Sequence, residues 1–234
     1  MKTKLFLLSV AVMGLATSCQ QKPESQPLAD EIQYVDPFIG TGFHGHTFPG
    51  ATRPYAMVQL SPDTHIMGWD ASSGYHYDDH QIYGFSHTHL SGTGIGDLGD
   101  IMLLPFSGGD SIKPVATFKK ETEKATPGYY AVRLENLGVN VELTSTDRVG
   151  FHRYTFDNPK DRRVMLDLGH VLQPNWGHKL VSNDYQLVND STVEGTYKTQ
   201  GWAHFHSVSY RVTFSEPMTK IYQYIDGKLR SDSL

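Results

Sequence analysis

The sequence predicts an all-β protein, an antiparallel β-sandwich with long Gly/His-rich loops. Short apolar or alternating runs recur along the chain, and several have the period of two that half-buried strands require. Gly, Asn, Asp and Pro separate these runs, whereas long patterns of helical period are scarce. Regularly spaced short strands with turn signals between them are typical of sandwiches and barrels.

Nine segments carry the strand pattern. In the segment "YRVTF", for example, Tyr210, Val212 and Phe214 fall on one face. The predicted strands are residues 55–60, 100–106, 129–135, 139–146, 151–156, 163–169, 192–199, 205–214 and 220–227.

The N-terminus reads as a targeting segment rather than part of the fold. Two lysines precede an apolar run over residues 5–15, which is too short to span a membrane, and small residues then precede Cys19, the only cysteine. This resembles a bacterial lipoprotein signal, although Ala16 stands where leucine is usual; an ordinary secretory signal is the alternative. We therefore expect a signal peptide over 1–19, lipidation of Cys19, a flexible tether over 20–31 and a sandwich domain over 32–234.

The expected location is the bacterial envelope, on the outer membrane facing the periplasm or the cell surface. Membrane contact would be made through the lipid anchor alone. The net charge of -5 provides no basic surface, so nucleic acid is not an expected partner. The 13 Tyr, 11 Phe and 3 Trp suit strands, and they also suit sugar binding, in which flat rings stack on apolar sugar faces.

Residues 38–99 are rich in glycine and contain seven of the twelve histidines. Long irregular segments in compact domains are usually functional or disordered, and the many aromatic residues favour function. G-x-G-x-x-G occurs twice here, from Gly40 and from Gly94. Prolines or a strand-like run follow each copy instead of the helix that a dinucleotide site needs, so such a site is rejected.

The motif H-x-H, which is compatible with a metal site, occurs three times, at 44/46, 87/89 and 204/206. In an extended strand both rings of each pair would point to one side, and Asp97 and Asp100 could add oxygen ligands. Histidines in a polar, Gly-rich segment often only form hydrogen bonds, and H-E-x-x-H is absent. We therefore predict no metal ligands, and a metal-dependent hydrolase remains a minor alternative. Nucleophilic hydrolysis is weaker still, since Ser86 and Ser91 lack the G-x-S-x-G context.

Carbohydrate binding fits the composition best. Aromatic side chains lie beside short polar groups between residues 67 and 94, and Trp69 is the best stacking candidate, with a core position as the alternative. For Trp176 and Trp202 the same two alternatives remain open: each could pack in the core or lie at a binding rim. The other candidates in the segment are Asp70, Ser72, Ser73, Tyr75, Tyr77, His76, His87 and Thr88.

Several motifs between Asp36 and Gly94 resemble the N-terminal domain of the glycoside hydrolase family 92 α-mannosidases, in family order. Arg53 and Tyr55 are small departures from the family pattern. The matching motifs are "DPFIGTG" (36–42), "HGHTFPGA" (44–51), "QLSPD" (59–63), "SGY" (73–75) and "FSHTHLSGTG" (85–94).

The resemblance implies a supersandwich of galactose-mutarotase type that packs on a larger (α/α)6 catalytic domain. It implies calcium-dependent, inverting removal of terminal α-mannose from glycans. Inversion needs an acid and a base that admit a water molecule between them. In the family these groups and most calcium contacts come from the C-terminal domain, which would follow Leu234. We therefore expect no catalytic residue and no bound cofactor in this chain, and no activity when it is isolated.

The expected partners are an α-mannose-containing glycan and that catalytic domain. The resemblance places a set of residues at one wall of the mannose pocket. Residues 42–45 would shape the wall, Trp69 and Tyr75 would lie at its rim or on the leaving-group side, and His87 and Thr93 would support the loops. A free-standing carbohydrate-binding lipoprotein is the main alternative. The residues are Gly42, Phe43, His44, Gly45, Trp69, Ser73, Tyr75, His87 and Thr93.

Overall fold

A computed structural model of the chain describes residues 29–109, 113–225 and 227–231. The predicted signal peptide, Cys19 and tether residues 20–28 lie outside this range. One turn of α-helix, α1 (Ala29–Ile32), occupies the end of the predicted tether. Across the described residues, no helix combines the length and the apolar character needed to cross a membrane.

Strands dominate the described residues. Turns of 3-10 helix occur at Trp69–Ala71, Lys120–Thr122 and Pro174–Trp176. The strands are β1 (Ala51–Thr52), β2 (Gln59–Asp63), β3 (Gln81–Ile82), β4 (Gly84–Ser86), β5 (Met102–Phe106), β6 (Ala116–Thr117), β7 (Lys124–Thr126), β8 (Tyr129–Leu134), β9 (Val139–Ser145), β10 (Gly150–Phe156), β11 (Arg163–Asp167), β12 (Lys179–Asn189), β13 (Thr192–Gln200), β14 (His206–Thr213), β15 (Gln223–Ile225) and β16 (Lys228–Ser231).

The strands form antiparallel sheets, which confirms the predicted all-β class. A five-stranded sheet has the order β1-β2-β4-β5-β11, and a four-stranded sheet has the order β10-β9-β8-β7. A three-stranded sheet, β12-β13-β14, and the pairs β3-β6 and β15-β16 complete the described part of the chain.

One apolar core lies between the five-stranded and four-stranded sheets. Strand β8 alternates strictly, so that Tyr130, Val132 and Leu134 point inward. They meet residues of the opposite sheet such as Leu60 and Phe85, both fully buried. Burying a side chain of this size stabilises the fold by about 1.5–3 kcal/mol. The period-two pattern therefore produces the sandwich. The five-stranded sheet in turn carries the loops within residues 38–99.

Seven of the nine predicted strands are present with small shifts of their ends. Prediction over residues 55–60 was wrong, because the strand begins only at Gln59, and Tyr55 is fully exposed with a φ of 61°. Of residues 220–227, only β15 is extended before the β15-β16 turn. Strand β12 was not predicted, because most of its residues are exposed on both faces and no apolar alternation marks it. The short strands β1, β3, β4, β6, β7 and β16 were not predicted either.

Candidate functional site

The first part of the candidate site is the histidine loop, residues 38–50, which folds back on itself. Gly40, Phe43 and His46 all have positive φ, at 79°, 52° and 53°. A β-carbon at Gly45 would stand 2.0 Å from the carbonyl oxygen of Gly40, so only glycine permits this approach. The amide of Gly45 also donates to the carbonyl of Gly42. The loop is therefore compact, with Phe43 78% exposed at its tip.

Trp69 lies against the two histidines of this loop. Its ring centroid is 4.9 Å from that of His44 and 4.5 Å from that of His46, the latter edge to face. The neighbouring Asp70 places Oδ1 2.7 Å from Nδ1 of His44 and 3.1 Å from Nε2 of His46. Because Trp69 remains 46% exposed, the indole forms a surface that the histidines hold in place.

Asp70 is held as a carboxylate. The hydrogen bond from His44 is the main cause that lowers the pKa of Asp70, and His46 adds to it. A negative charge therefore lies directly beside the exposed indole. In this arrangement Asp70 accepts hydrogen bonds and is not suited to act as a general acid.

The second part is the glycine loop, residues 92–99. The amide of Gly92 donates to the carbonyl of His46 over 2.7 Å, and Ser72 Oγ donates to the carbonyl of Thr93 over 2.8 Å. A β-carbon at Gly94 would lie 2.4 Å from Nε1 of Trp69. The glycines thus let the loop backbone lie directly against the indole.

The other two tryptophans are tied to the same region. Asn175 accepts from the amide of Gly68, which brings the Pro174–Trp176 turn beside Trp69. Asp97 of the glycine loop accepts from the amides of Trp202 and Ala203 over 3.0 and 2.7 Å. Trp176 and Trp202 are 57% and 77% exposed, so both belong to the surface and not to the core.

A buried polar cluster supports the loops from below. Nδ1 of His89 lies 2.7 Å from the carbonyl oxygen of Gln59, and its Nε2 lies 2.8 Å from Asp63 Oδ1. His170 approaches the second oxygen of Asp63 at 2.9 Å. Burial by itself would raise the pKa of Asp63, but the two histidines outweigh it and hold that pKa far below the usual range. The base of the site therefore contains a buried, paired charge.

A chain of hydrogen bonds also fixes His87. Nδ1 of His87 donates to the carbonyl of Ile101 over 2.6 Å, which leaves Nε2 to accept from Nε2 of His152 at 3.0 Å. Tyr154 in turn donates to Nδ1 of His152. These partners assign neutral tautomers to both rings, and burial lowers the pKa of each. His87 consequently occupies a supporting position beneath the loops.

The structure brings several of the predicted site residues to one surface, whereas two others are buried away from it. Phe43, His44 and Trp69 are exposed there, and Gly42, Gly45 and Thr93 belong to the loops around them. The rim position predicted for Tyr75 is wrong, because its ring is only 1% exposed and its hydroxyl donates to the buried Glu123. Ser73 is fully buried and donates to backbone carbonyls of residues 47 and 75.

The three H-x-H pairs differ in their geometry. His87 and His89 diverge to separate partners, whereas His44 and His46 converge on Asp70. The convergence comes from the left-handed backbone of His46 and not from an extended strand. Asp97 and Asp100, considered as oxygen ligands, are engaged elsewhere. Asp97 caps the 201–203 turn, and Asp100 accepts from Thr88 and His206.

Gln173, which the sequence did not single out, contacts both the residue before Trp69 and the glycine loop. Gln173 Nε2 donates to the carbonyl of Gly68, and a β-carbon at Gly96 would stand 2.4 Å from Gln173 Oε1. The glycines of the two G-x-G-x-x-G motifs were the available signal for these contacts, since glycine marks positions where another segment approaches the backbone closely. The neighbours of Gly96 and Gly99, Gln173 and Leu172, lie more than seventy positions away in sequence, and no local pattern identifies them.

The described residues thus form an antiparallel β-sandwich whose exposed Trp69 lies between a histidine loop and a glycine loop. Residues 34–233 match the glycosyl hydrolase family 92 N-terminal domain. The chain belongs to this family.

Three known proteins illustrate the similarity. The chain is 36% identical to the family GH92 alpha-mannosidase BT3965 from Bacteroides thetaiotaomicron, solved in complex with mannoimidazole, with a TM-score of 0.79 over 85% of this chain. It is 32% identical to an uncharacterized secreted glycosidase from Arthroderma benhamiae over 68% of this chain. The inverting mannosidase BT2199 from Bacteroides thetaiotaomicron, 24% identical over 86% of this chain with a TM-score of 0.68, shares the fold.

The chain spans about a quarter of the length of these relatives. The aligned part covers 27% of each mannosidase and 22% of the secreted glycosidase.

Proposed function

We propose that this chain is the N-terminal domain of an inverting exo-α-mannosidase that acts on terminal α-linked mannose of glycans. Its role is to supply one wall of the sugar pocket, formed by the histidine loop, Trp69 and the glycine loop. The carrying observation is the exposed Trp69 ring, fixed between His44 and His46, in a chain of family 92. The mannoimidazole complex of the related mannosidase supports mannose as the sugar.

The chemistry of the wall suits binding. An indole presents an apolar face to the C–H face of a sugar, while Asp70 and the loop amides can contact hydroxyl groups. Asp70 is already ionised and fixed, so it can accept from a hydroxyl with little reorganisation. Phe43 and His44, whose rings are 4.1 Å apart, extend the surface beside the indole.

The charge state and the hydrogen bonds of the aspartates in this region make hydrolysis by this chain alone unfavourable. An inverting glycosidase needs a protonated acid and a base about 6.5–9.5 Å apart. Asp63 and Asp70 both have a lowered pKa, which keeps them ionised. Asp97 accepts from two backbone amides, and Asp100 from Thr88 and His206. We propose that the acid, the base and the calcium ligands belong to the remaining length of the longer enzyme, and that the isolated chain releases no mannose.

Sugar binding by the isolated, tag-free chain tests the proposal. We expect methyl α-mannoside to bind weakly but saturably, and to shift the indole N–H resonance of Trp69 in NMR spectra. Trp69→Ala should weaken binding by about 1 kcal/mol, or roughly fivefold. Phe151→Ala is the matched control, because Phe151 is a 65% exposed aromatic residue of β10 outside both loops.

Three results discriminate between the candidate functions. Release of mannose by the isolated chain would contradict the division of chemistry proposed here. Equal binding by the wild-type chain and Trp69→Ala, or no binding by either, would reject the indole wall. Tight binding by the isolated chain would favour the free-standing carbohydrate-binding lipoprotein instead.

We also propose that Cys19 is lipidated and anchors the protein to the outer membrane. The signal pattern before Cys19 supports this, and the related fungal protein is described as secreted. Metabolic labelling with a radioactive fatty acid should label the wild-type protein and leave Cys19→Ser unlabelled. Label retained by Cys19→Ser would reject the anchor.

A further inference from the structure

The histidine loop and the neighbouring Asp70 bring three metal-ligating side chains together. Nδ1 of His44, Nε2 of His46 and a carboxylate oxygen of Asp70 lie within 4.8 Å of one another. We propose that these three residues bind one divalent transition-metal ion of the Zn²⁺ class. The proposal does not depend on the function proposed above.

The backbone holds two of the three ligands in advance. His46 is 6% exposed and edge-on to Trp69, and its left-handed φ sets the direction of its side chain. Asp70 lies in the 3-10 turn that follows Gly68, and the side chains of Gln173 and Asn175 form hydrogen bonds to the Gly68 backbone. Binding an ion therefore requires little ordering of these two groups, and preorganisation of this kind favours affinity.

His44 supplies the mobile third ligand and the path of entry. Its side chain is 45% exposed, so it can turn to admit an ion between its ring and Asp70. Nδ1 now donates a hydrogen bond to Asp70. For this nitrogen to ligate, its proton must move to Nε2 of the same ring, a change of small cost on a ring that solvent reaches. Nε2 of His46 also donates to Asp70, so its proton must likewise move to Nδ1 of His46 before that nitrogen can ligate.

The donor set selects the class of ion. Two imidazole nitrogens and one carboxylate oxygen suit Zn²⁺, Co²⁺, Ni²⁺ or Cu²⁺, whereas Ca²⁺ and Mg²⁺ prefer oxygen ligands alone. Three protein ligands leave at least one coordination position for water. The exposed side of His44 is where that position would face.

Zn²⁺ titration of the tag-free full chain tests the proposal, because a polyhistidine tag would itself bind zinc. Calorimetry should show one ion per chain, and excess Ca²⁺ should not displace it. His44→Ala should weaken binding by at least about tenfold. His204→Ala is the matched control, since His204 is an exposed histidine of another H-x-H pair and should leave the affinity unchanged.

A second readout uses Trp69, whose ring lies 4.9 and 4.5 Å from the two imidazole rings. Cu²⁺ bound between them should quench the Trp69 emission, and the quenching should disappear in Asp70→Asn, with circular dichroism used to verify folding. Absence of zinc binding, or equal zinc affinity in the wild-type chain and His44→Ala, would overturn the proposal. So would an equal loss of affinity in His204→Ala.

Discussion

The indole Nε1 of Trp69 lies 2.4 Å from the position that a β-carbon at Gly94 would occupy. Real β-carbons do not approach other atoms this closely, so the exposed indole keeps its place only while residue 94 is glycine. The orientation of the proposed sugar-binding ring thus depends on a residue of the glycine loop.

Gly94→Ala should displace the Trp69 ring. The clash requires the indole or the loop to move, at a cost of about 1–3 kcal/mol in the free energy of unfolding. The indole N–H resonance of Trp69, assigned from its absence in Trp69→Phe, should shift in the variant. Gly42→Ala is the matched control, because its β-carbon would make only an ordinary 3.5 Å contact with Tyr77. An unmoved Trp69 resonance in Gly94→Ala would contradict the close approach.

Glu123→Ala should strongly destabilise the sandwich. Glu123 is 9% exposed and accepts from the hydroxyls of Tyr75 and Tyr130 and from Lys120. Truncation leaves these buried donors without their acceptor, which costs about 3 kcal/mol. Urea unfolding measures the loss, and Glu121→Ala, at an exposed position of the same turn, should remain within about 0.5 kcal/mol of wild type. Equal stability of the two variants would show that the buried network contributes little.

Stability should fall as the pH decreases below the usual histidine range, partly because of His152. Burial and the neighbouring His87 hold the pKa of His152 well below its unfolded value of about 6.5. Between the two values the unfolded chain binds a proton that the folded chain does not. Each such group therefore removes up to about 1.4 kcal/mol per pH unit on acidification.

His152→Gln should consequently flatten the dependence of unfolding free energy on pH between 7 and 5. His206 contributes in the opposite sense, because the hydrogen bond to Asp100 raises its pKa and its contribution is lost as the pH rises through the folded-state value. Comparison of the pH slopes of wild type and His152→Gln cancels that contribution. Identical slopes would contradict a His152 that stays neutral in the folded chain.

Asp97→Ala should release the turn that carries Trp202. Its carboxylate accepts from the amides of residues 202 and 203, each hydrogen bond to a charged group being worth about 1.5–3 kcal/mol. Hydrogen exchange at these two amides should accelerate in the variant. Asp147→Ala, at an exposed pair with Arg53, serves as the control and should leave both exchange rates unchanged.

Much of the fold could be predicted because local alternation and tertiary burial agree. The segment 129–135 shows this, since Tyr130, Val132 and Leu134 alternate in sequence and point into the core. Strand β12 shows the opposite case: most of its residues are exposed on both faces, so pairing with β13 and not an apolar pattern makes it a strand.

The candidate site was predicted in composition but not in arrangement. Trp69 and Tyr75 have similar aromatic character and lie six positions apart in one segment. The structure exposes the first and buries the second, because Glu123 offers a buried acceptor to the hydroxyl of Tyr75 and no residue near Trp69 covers the indole completely. The residues adjacent to each ring in the sequence do not predict whether that ring is exposed or buried.

The sequence by itself determined the all-β class, the position of the Gly/His-rich segment and the resemblance to family 92, since each depends on local pattern or motif order. Only the tertiary structure decided which histidines meet. His44 and His46 converge on Asp70, and His89 pairs with Asp63, across separations of 24 to 26 residues. Such contacts depend on how the sheets bring distant loops together, and the free energy that selects them is shared across the whole core.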